Sequence, residues 1–188
     1  VTSSAPRKVC ARWIADNAMG SSTYVTDISA AVALAVVQGP RAREFLQTVV
    51  KGVELAALPF FRFNTAEVNG VELLLSRSGY TGELGYELYI PAEEAGAQWE
   101  CLLRAGKEFG LLPYGVGAMQ SLRIEKAFPL YGPDISDEVT PFHVGLERWI
   151  RFDKREFVGR EALLRVQEQG IEERWVGMVL DGHAIAYV

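Results

Sequence analysis

The sequence predicts an α+β protein in which antiparallel strands pack against helices, and three observations predict it. First, an apolar run at 31–37 is followed by apolar residues at helical spacing. Second, Asn69-Gly70, a dipeptide that readily adopts positive φ, joins two strand-like runs at 60–68 and 71–76 as a hairpin. Third, a strand-like run at 86–90 precedes a second helical pattern. This order of strand, helix, hairpin, strand and helix is that of a ferredoxin-like layer.

Before the hairpin, the chain alternates between helical and strand-like patterns. Residues 7–19 predict a helix, and 24–29 alternate as a short strand. The run 31–37 is apolar throughout, which favours a central strand buried on both faces. Pro40 then precedes a helix that should pack on the sheet through its apolar residues, namely Ala42, Phe45, Leu46, Val49 and Val50.

After the hairpin and the strand at 86–90, Pro91 opens a helical pattern that Gly110 closes. Its predicted buried side consists of Ala95, Trp99, Leu102, Leu103 and Phe109. A shorter helix is predicted at 116–126, and from Phe128 onward prolines punctuate polar residues in a long connection of the kind that often carries function. Beyond it we expect three elements, a strand at 146–152, a helix at 159–168 and a strand at 175–180.

Composition and charge narrow the classes of function. With 188 residues, 49% hydrophobic and 23% charged, the chain can bury a sizeable core. Its net charge is −5, and it has no run of about five or more like charges, so a small-molecule ligand is a better expectation than a nucleic acid or a membrane. No apolar stretch reaches the roughly 18 residues that a membrane span needs.

The two cysteines, Cys10 and Cys101, do not have the spacing of a metal site. Structural zinc and a disulfide framework are therefore not expected, and a reducing, cytoplasmic compartment fits. The chain opens at Val1 without methionine and stops within a strand-like run at 184–188. We therefore expect it to be a piece of a longer protein.

The stretch 76–87, Ser-Arg-Ser-Gly-Tyr-Thr-Gly-Glu-Leu-Gly-Tyr-Glu, is the candidate binding segment. Its glycines permit tight turns and a close approach of the backbone to a ligand. Because side chains alternate along a strand, Glu87 and Tyr89 should share one face and form a floor for a flat, hydrogen-bonding ligand. Glu83 and Glu87 have a spacing compatible with an acid/base pair, but no partner nucleophile lies nearby, so binding is favoured over catalysis. A hairpin loop with solvated acids stays open as the alternative.

Other polar residues have simpler interpretations. Asp134 and Asp137 are spaced so that they could bind a divalent cation, but turn and capping roles explain them without a metal. Asp27 is interpreted as a turn residue and His143 as a surface or packing residue.

The stretch 76–87 closely resembles the signature of the aminomethyltransferase family, the T-protein of the glycine cleavage system and its relatives. The resemblance continues in order through Gly117-Ala118 with 121–125, 130–135, Thr140-Pro141 with Gly145-Leu146, and Asp153-Lys154 with 157–161. Upstream, Val-Gln-Gly-Pro at 37–40 also fits. Ordered motifs over most of a chain are far more specific than a match to one loop.

The resemblance implies a tetrahydrofolate-binding protein of three lobes around a central channel, with a ferredoxin-like middle lobe. It implies a folate-binding domain at 1–145, and at 146–188 a return segment of the first lobe that leads towards a carboxy-terminal barrel. The family's catalytic aspartate lies in an amino-terminal segment outside this chain, so no catalytic residue is assigned.

The resemblance also implies four cofactor-binding candidates, Tyr80, Glu83, Glu87 and Met119. Tyr80 and Glu87 match family residues that line the folate site, where one carboxylate can accept both the amino group and the ring N–H of the pterin edge. Met119 stands where the T-proteins have an arginine expected to meet the folate. Relatives fused to flavin dehydrogenases also look apolar at this position, so Met119 favours a demethylase-type function over glycine cleavage.

We therefore expect a transferase that passes a one-carbon unit from an amine or methylated substrate to N5 of tetrahydrofolate. Catalysis would rest on positioning and electrostatic support, since N5 is itself the nucleophile. The implied partners are a small-molecule amine or methyl donor, with a lipoyl carrier protein or a flavin dehydrogenase. The open alternatives are a folate-binding module of a flavin-dependent sarcosine or dimethylglycine demethylase, a non-enzymatic folate-binding assembly factor, and a member that has lost folate binding.

Overall fold

The computed structural model describes residues 7–179 of the chain. The chain divides into two compact units, Val1–Phe128 and Pro129–Val188. The sheet belongs to the first unit, and the described part of the second unit contains one α-helix. None of the helices in the described range is both long enough and apolar enough to cross a membrane.

A five-stranded antiparallel sheet is the frame of the first unit. Its strands are β1 (Val32–Gln38), β2 (Val50–Lys51), β3 (Phe63–Val68), β4 (Val71–Ser76) and β5 (Gly85–Pro91). Across the sheet the order is β1-β5-β4-β3-β2, and each pair of neighbours is antiparallel. With helices packed against this sheet, the predicted α+β class is confirmed.

The hairpin between β3 and β4 turns at Asn69-Gly70, as predicted. Asn69 has φ 50° and Gly70 has φ 78°. Positive φ at both central residues is what a type I′ hairpin turn requires. Pairing then runs without interruption from Val68 opposite Val71 to Phe63 opposite Ser76. β3 begins later than the predicted run because Phe61, at φ 59°, breaks the extended backbone before it.

The helices are α1 (Arg7–Ala18), α2 (Ala42–Val49), α3 (Ala95–Gly106), α4 (Val116–Glu125) and α5 (Arg160–Gln169). Each lies where the apolar spacing predicted a helix. After α3 the chain continues in a 3-10 turn, Lys107–Phe109, and stops at Gly110 with φ 74°. A residue in the left-handed region is a common helix stop, and glycine adopts it without a steric cost.

The hydrophobic core lies on one face of the sheet, beneath α2 and α3. Strand side chains at alternate positions of β5 join apolar residues of both helices in one buried cluster, which includes Tyr86, Leu88, Ile90, Phe45, Leu46 and Leu102. The Tyr86 hydroxyl is satisfied inside this core, since it donates to the Leu55 carbonyl oxygen at 3.2 Å and accepts from Nε of Arg43 at 3.1 Å. Alternation along β5 then places Glu87 and Tyr89 on the other face.

Two details of packing differ from the sequence-based expectation. β1 is a strand, but its predicted central place was wrong, because it lies at the edge of the sheet and Leu34 is 50% exposed. Trp99 was expected on the buried side of α3, yet it is 46% exposed, and Gln98 is buried instead. A continuous apolar run indicates that a segment is hydrophobic, but it does not determine which neighbouring elements will cover that segment.

The strand predicted at 24–29 was wrong. The Asp27 carboxylate oxygen Oδ1 accepts hydrogen bonds from the backbone N–H of Ser29 at 3.0 Å and from its hydroxyl at 2.6 Å. These bonds start a 3-10 turn, Ser29–Ala31, because a short polar side chain competes with strand pairing for backbone donors. The turn role of Asp27 is therefore observed, but the strand end at which it was expected is not found among the described residues.

The strands predicted in the second unit were also wrong within the described residues. At 146–152 the backbone forms a 3-10 turn, Glu147–Trp149, closed by a hydrogen bond from Ile150 N–H to the Glu147 carbonyl at 3.0 Å. Residues 175–179 form no strand, and Leu180 lies outside the described residues. Alternating hydrophobicity alone does not supply the partner strand that β structure needs.

Candidate functional site

The candidate site is built where the loop 77–84, called here the glycine-rich loop, connects β4 to β5. Glu87 follows this loop on β5 and lies opposite Val36 of β1 and opposite Ser76 of β4. A strand that is paired on both sides holds its side chains in a fixed direction. The carboxylate therefore starts from a rigid backbone, as the sequence predicted.

Two hydroxyl groups bind the same oxygen of Glu87. Ser78 donates to Oε2 at 2.7 Å, and Tyr89 donates to Oε2 at 2.8 Å. The hydroxyl of Ser76 lies 2.9 Å from that of Ser78 and extends the network. Within the described part of the chain, Oε1 of Glu87 has no hydrogen-bond partner. This half-buried carboxylate thus has one filled and one open oxygen.

Tyr89 is suited to remain a donor in this network. Burial raises the pKa of Tyr89 to about 12, with further contributions from its hydrogen bond to Glu87 and from the charge of that residue. The phenol therefore keeps its proton at neutral and mildly alkaline pH. The predicted placement of Tyr89 and Glu87 on one face is observed as this direct contact.

Gln38, the last residue of β1, holds the glycine-rich loop at two points. Its Nε2 donates to the Ser78 carbonyl at 3.3 Å, and its Oε1 accepts from the Thr81 hydroxyl at 2.9 Å. The Gln38 side chain also fills the space that a Cβ would need at Gly79 and at Gly85. An alanine at either position would have to displace the Gln38 amide from its two hydrogen bonds, and neither glycine has a positive φ.

The other side of the loop rests on the residues that follow α4. Gly82 has φ 82°, and a Cβ at this position would come within 2.7 Å of Cγ of Lys126. The Tyr80 ring lies 5.7 Å from that of Phe128 between centroids, at an interplanar angle of 39°. This pair provides aromatic surface beside the loop, which suits contact with a flat ring.

The four predicted site residues do not all come together. Tyr80 lies in the loop that supplies Ser78 to Glu87, whereas the Glu83 side chain is exposed to solvent. Met119 lies on α4 and lines an apolar cavity of about 310 Å³ with Leu34, Trp99, Leu103 and Tyr114 among others. Tyr80, Glu83 and Glu87 are not among the residues that line this cavity.

Several residues of the site were missed from the sequence. Ser78 and Ser76 stand inside the motif that was singled out, so their alternate spacing before a carboxylate was an available signal. Gln38 was noted only as part of a Val-Gln-Gly-Pro motif, and no local pattern connects it to a loop about 40 residues later. Phe128 was interpreted only as the start of a long connection.

The other polar candidates lie in the second unit and have structural roles there. Asp134 accepts from the Leu130 N–H at 2.9 Å, and Asp137 accepts from the Tyr131 hydroxyl at 2.9 Å. Nδ1 of His143 accepts from the Thr140 N–H at 3.0 Å. Among residues 7–179, no group of three or more His, Cys, Asp or Glu is arranged to hold a metal ion.

Comparison with known families gives this geometry a context. The GCVT N-terminal domain matches residues 1–154. The chain belongs to this family. Its relatives include an aminomethyltransferase of Moorella thermoacetica, 45% identical over 168 residues, or 89% of this chain and 46% of the relative. An aminomethyltransferase of Symbiobacterium thermophilum is 48% identical over 155 residues, or 81% of this chain and 41% of the relative.

The fold of this GCVT-family chain also matches a solved structure. The crystal structure of glycine cleavage system aminomethyltransferase T from Bartonella henselae superposes with a TM-score of 0.76 at 27% sequence identity. That match covers 88% of this chain and 44% of the Bartonella chain. The chain thus spans about half the length of the relatives that it matches.

Proposed function

We propose that this GCVT-family chain acts in tetrahydrofolate-dependent transfer of a one-carbon unit, as an aminomethyltransferase. The observation that carries the proposal is the Glu87 carboxylate, which is fixed on β5 with Oε2 held by two hydroxyls. It stands at the end of the family's glycine-rich signature. The names of the relatives support the same reaction class.

The residues of the site fit a reduced pterin. The pterin edge carries an amino group and a ring N–H side by side, which are hydrogen-bond donors, and Oε1 of Glu87 is an open acceptor among the described residues. A charge-assisted hydrogen bond is about twice as strong as a neutral one. The rings of Tyr80 and Phe128 add flat apolar surface beside the loop.

Each side chain has a role in binding or orientation. Glu87 fixes the direction of the pterin edge, and Tyr80 limits its position. Tetrahydrofolate itself supplies N5, the nucleophile that receives the one-carbon unit. Holding two reactants in a productive geometry removes much of the entropic part of a barrier, so the contribution of these residues is positioning.

For the donor, we propose an aminomethyl group presented by a lipoyl carrier protein. Support comes from the Bartonella structure, which is described as a glycine cleavage system protein. Met119 favours a methylated amine as the donor, since it stands where the T-proteins have an arginine. The choice between a carrier-bound aminomethyl group and a methylated amine is therefore part of the test.

The test is an assay of folate-dependent product formation by the purified full-length protein that contains this chain. We expect methylenetetrahydrofolate and ammonia to form from an aminomethylated lipoyl carrier protein only when tetrahydrofolate is present. The Moorella aminomethyltransferase, assayed in parallel, is the positive control. Turnover with sarcosine and a flavin dehydrogenase, but not with the lipoyl carrier, would transfer the assignment to a demethylase. The absence of turnover with either donor, while the control is active, would contradict the proposed activity.

A further inference from the structure

We propose that Ser78 and Tyr89 are positioning residues that hold Oε2 of Glu87 and thereby present Oε1 alone to the N–H donors of the ligand. This inference rests on the proposed function, because it names how the carboxylate recognises a folate edge. It gives Ser78 and Tyr89 a role in a site for which the sequence predicted four cofactor-binding residues, namely Tyr80, Glu83, Glu87 and Met119. It also predicts which oxygen of the carboxylate meets the ligand.

The first step is the geometry at Oε2. The two hydroxyl oxygens lie 2.7 Å and 2.8 Å from the same carboxylate oxygen. A carboxylate oxygen has about two lone-pair positions, so Ser78 and Tyr89 fill the acceptor capacity of Oε2. A ligand N–H that approached Oε2 would have to displace one of them, whereas Oε1 can accept two donors at no such cost.

The second step is the origin of the two donors, which come from independent supports. Tyr89 is on β5 and lies opposite Leu34 of β1 and Leu74 of β4, so its backbone is fixed on both sides. Ser78 belongs to the glycine-rich loop, and its carbonyl is held by Gln38 at 3.3 Å. The carboxylate is thus fixed between a strand and a loop, which removes the rotation about its terminal bond that an isolated glutamate retains.

The third step is the state of the donors. The raised pKa of Tyr89, about 12, keeps its hydroxyl protonated at neutral and mildly alkaline pH, whether or not a ligand is bound. Because Ser78 gives its only hydroxyl proton to Glu87, the Ser76 hydroxyl at 2.9 Å donates to the Ser78 oxygen. The network is therefore complete on the Oε2 side without any ligand, and the direction in which Oε1 points does not depend on the ligand.

The experiment compares two probes, 5-formyltetrahydrofolate and its 2-desamino-2-methyl analogue, which lacks the exocyclic amino donor. Their dissociation constants are measured by calorimetry for the wild type, Ser78→Ala, Tyr89→Phe and the double variant. The matched control is the pair Ser21→Ala and Tyr24→Phe, since Ser21 donates to the Ala18 carbonyl and the Tyr24 side chain is 96% exposed. Ser78→Thr, which keeps a hydroxyl, tests for rescue.

We expect the double variant to bind 5-formyltetrahydrofolate about tenfold or more weakly, and the desamino analogue, which keeps only the ring N–H, to weaken by a clearly smaller factor. The preference of the protein for the amino-bearing probe would then fall, and Ser78→Thr would restore most of it. A loss of structure alone would weaken both probes to the same extent and leave the preference unchanged, which would overturn the inference. Unchanged or tighter binding of the amino-bearing probe in the double variant would also overturn it.

Failure of the proposed function gives a different result. If the wild type binds neither probe, the folate proposal falls, and this inference falls with it. If the wild type prefers the amino-bearing probe and the Ser78 and Tyr89 variants keep that preference, the folate proposal stands and only the roles of Ser78 and Tyr89 are removed.

Discussion

At the scale of single residues, Gln98 is a buried polar side chain whose amide makes no hydrogen bond within the described structure. It lies near the start of α3 with 0% of its surface exposed, and neither atom of its amide has a hydrogen-bond partner in the described structure. A buried polar group without a partner costs about 1–3 kcal/mol of stability. Gln47 on α2, which is exposed to solvent, makes both bonds, since it accepts from Leu55 N–H at 2.8 Å and donates to the Val53 carbonyl at 3.1 Å.

This contrast predicts opposite effects of the same substitution at Gln98 and Gln47. Gln98→Leu should raise the free energy of unfolding by about 1–2 kcal/mol, because leucine has a similar volume and no polar atom. Gln47→Leu should lower it by about 1–2 kcal/mol, because the Leu55 N–H and the Val53 carbonyl lose their partner. Urea unfolding of both variants measures the two changes, and a destabilised Gln98→Leu would contradict the account.

Asp27 predicts a pH dependence of stability. Hydrogen bonds from Ser29, and then the contact with Arg7, lower the pKa of Asp27 from 3.8 to about 2. Since this folded-state pKa is the lower one, the stabilisation is present above about pH 4 and is lost as pH falls towards about 2. Between those values the wild type should lose melting temperature faster than Asp27→Asn. Parallel curves for the two proteins would contradict this, and Asp16→Asn on α1 is the charge-matched control.

At the scale of elements, the glycine-rich loop is shaped by the side chain that crosses it. Gln38 reaches from the end of β1 to the Ser78 carbonyl and the Thr81 hydroxyl, and it occupies the Cβ positions of Gly79 and Gly85. These two glycines therefore allow the Gln38 side chain to lie close to the backbone of the loop. From the sequence, the glycines were expected to allow a close approach of the backbone to a ligand, whereas at Gly79 and Gly85 the approaching group is the Gln38 side chain.

A double-mutant cycle tests this contact. Gly85→Ala should destabilise the protein by about 1–3 kcal/mol, because the new methyl group collides with Gln38. In a Gln38→Ala background the same substitution should cost markedly less, since the space is then free. Thermal unfolding of the four proteins gives the coupling energy. Additive effects would contradict the steric explanation, and Gly96→Ala, where a Cβ meets nothing within 4 Å, is the control.

The same scale shows why some elements could be predicted and others could not. The β3–β4 hairpin was predictable because Asn69-Gly70 encodes its own turn, and the helices because their apolar spacing is local. The strands at 24–29 and 146–152 were wrong because alternation does not report whether a partner strand exists. At 24–29, the Asp27 carboxylate instead accepts a hydrogen bond from the backbone N–H of Ser29.

At the scale of the whole molecule, large apolar side chains stand exposed in the first unit. Trp13 on α1 is 54% exposed and Val9 70%, while Phe60, Phe61 and Phe63 are 58%, 60% and 66% exposed. Exposed apolar patches of this kind promote association. α1 forms where a helix was predicted, but none of its residues is buried within the described structure.

We therefore predict poor solubility of the 188-residue chain when it is expressed alone. Val9→Lys and Trp13→Glu together should increase the soluble fraction and reduce light scattering, with little change in the free energy of unfolding, because neither residue is buried. A dispersed, non-scattering wild type at high concentration would contradict the prediction. So would a loss of stability in the variant, since α1 would then have an apolar partner.

In the site, as in the fold, the features that depend on a local sequence pattern were predictable and those that depend on distant contacts were not. Glu87 and Tyr89 were predictable, because two residues on one strand share a face by geometry alone. Gln38 and Phe128 were not, because their contacts with the loop join distant parts of the chain that only the packing brings together. Met119 was predicted as a site residue through the resemblance, and it lines an apolar cavity that none of the other predicted site residues lines.

Calorimetric titration of 5-formyltetrahydrofolate into the full-length wild type, Glu87→Gln and Glu83→Gln is the decisive test of folate recognition by Glu87. Glu83 is the matched control, an exposed carboxylate on the glycine-rich loop that precedes β5. We predict that the wild type binds, that Glu87→Gln binds about tenfold or more weakly, and that Glu83→Gln stays within about twofold of the wild type. Equal affinities for all three proteins would contradict the assignment of Glu87 as the residue that recognises the folate.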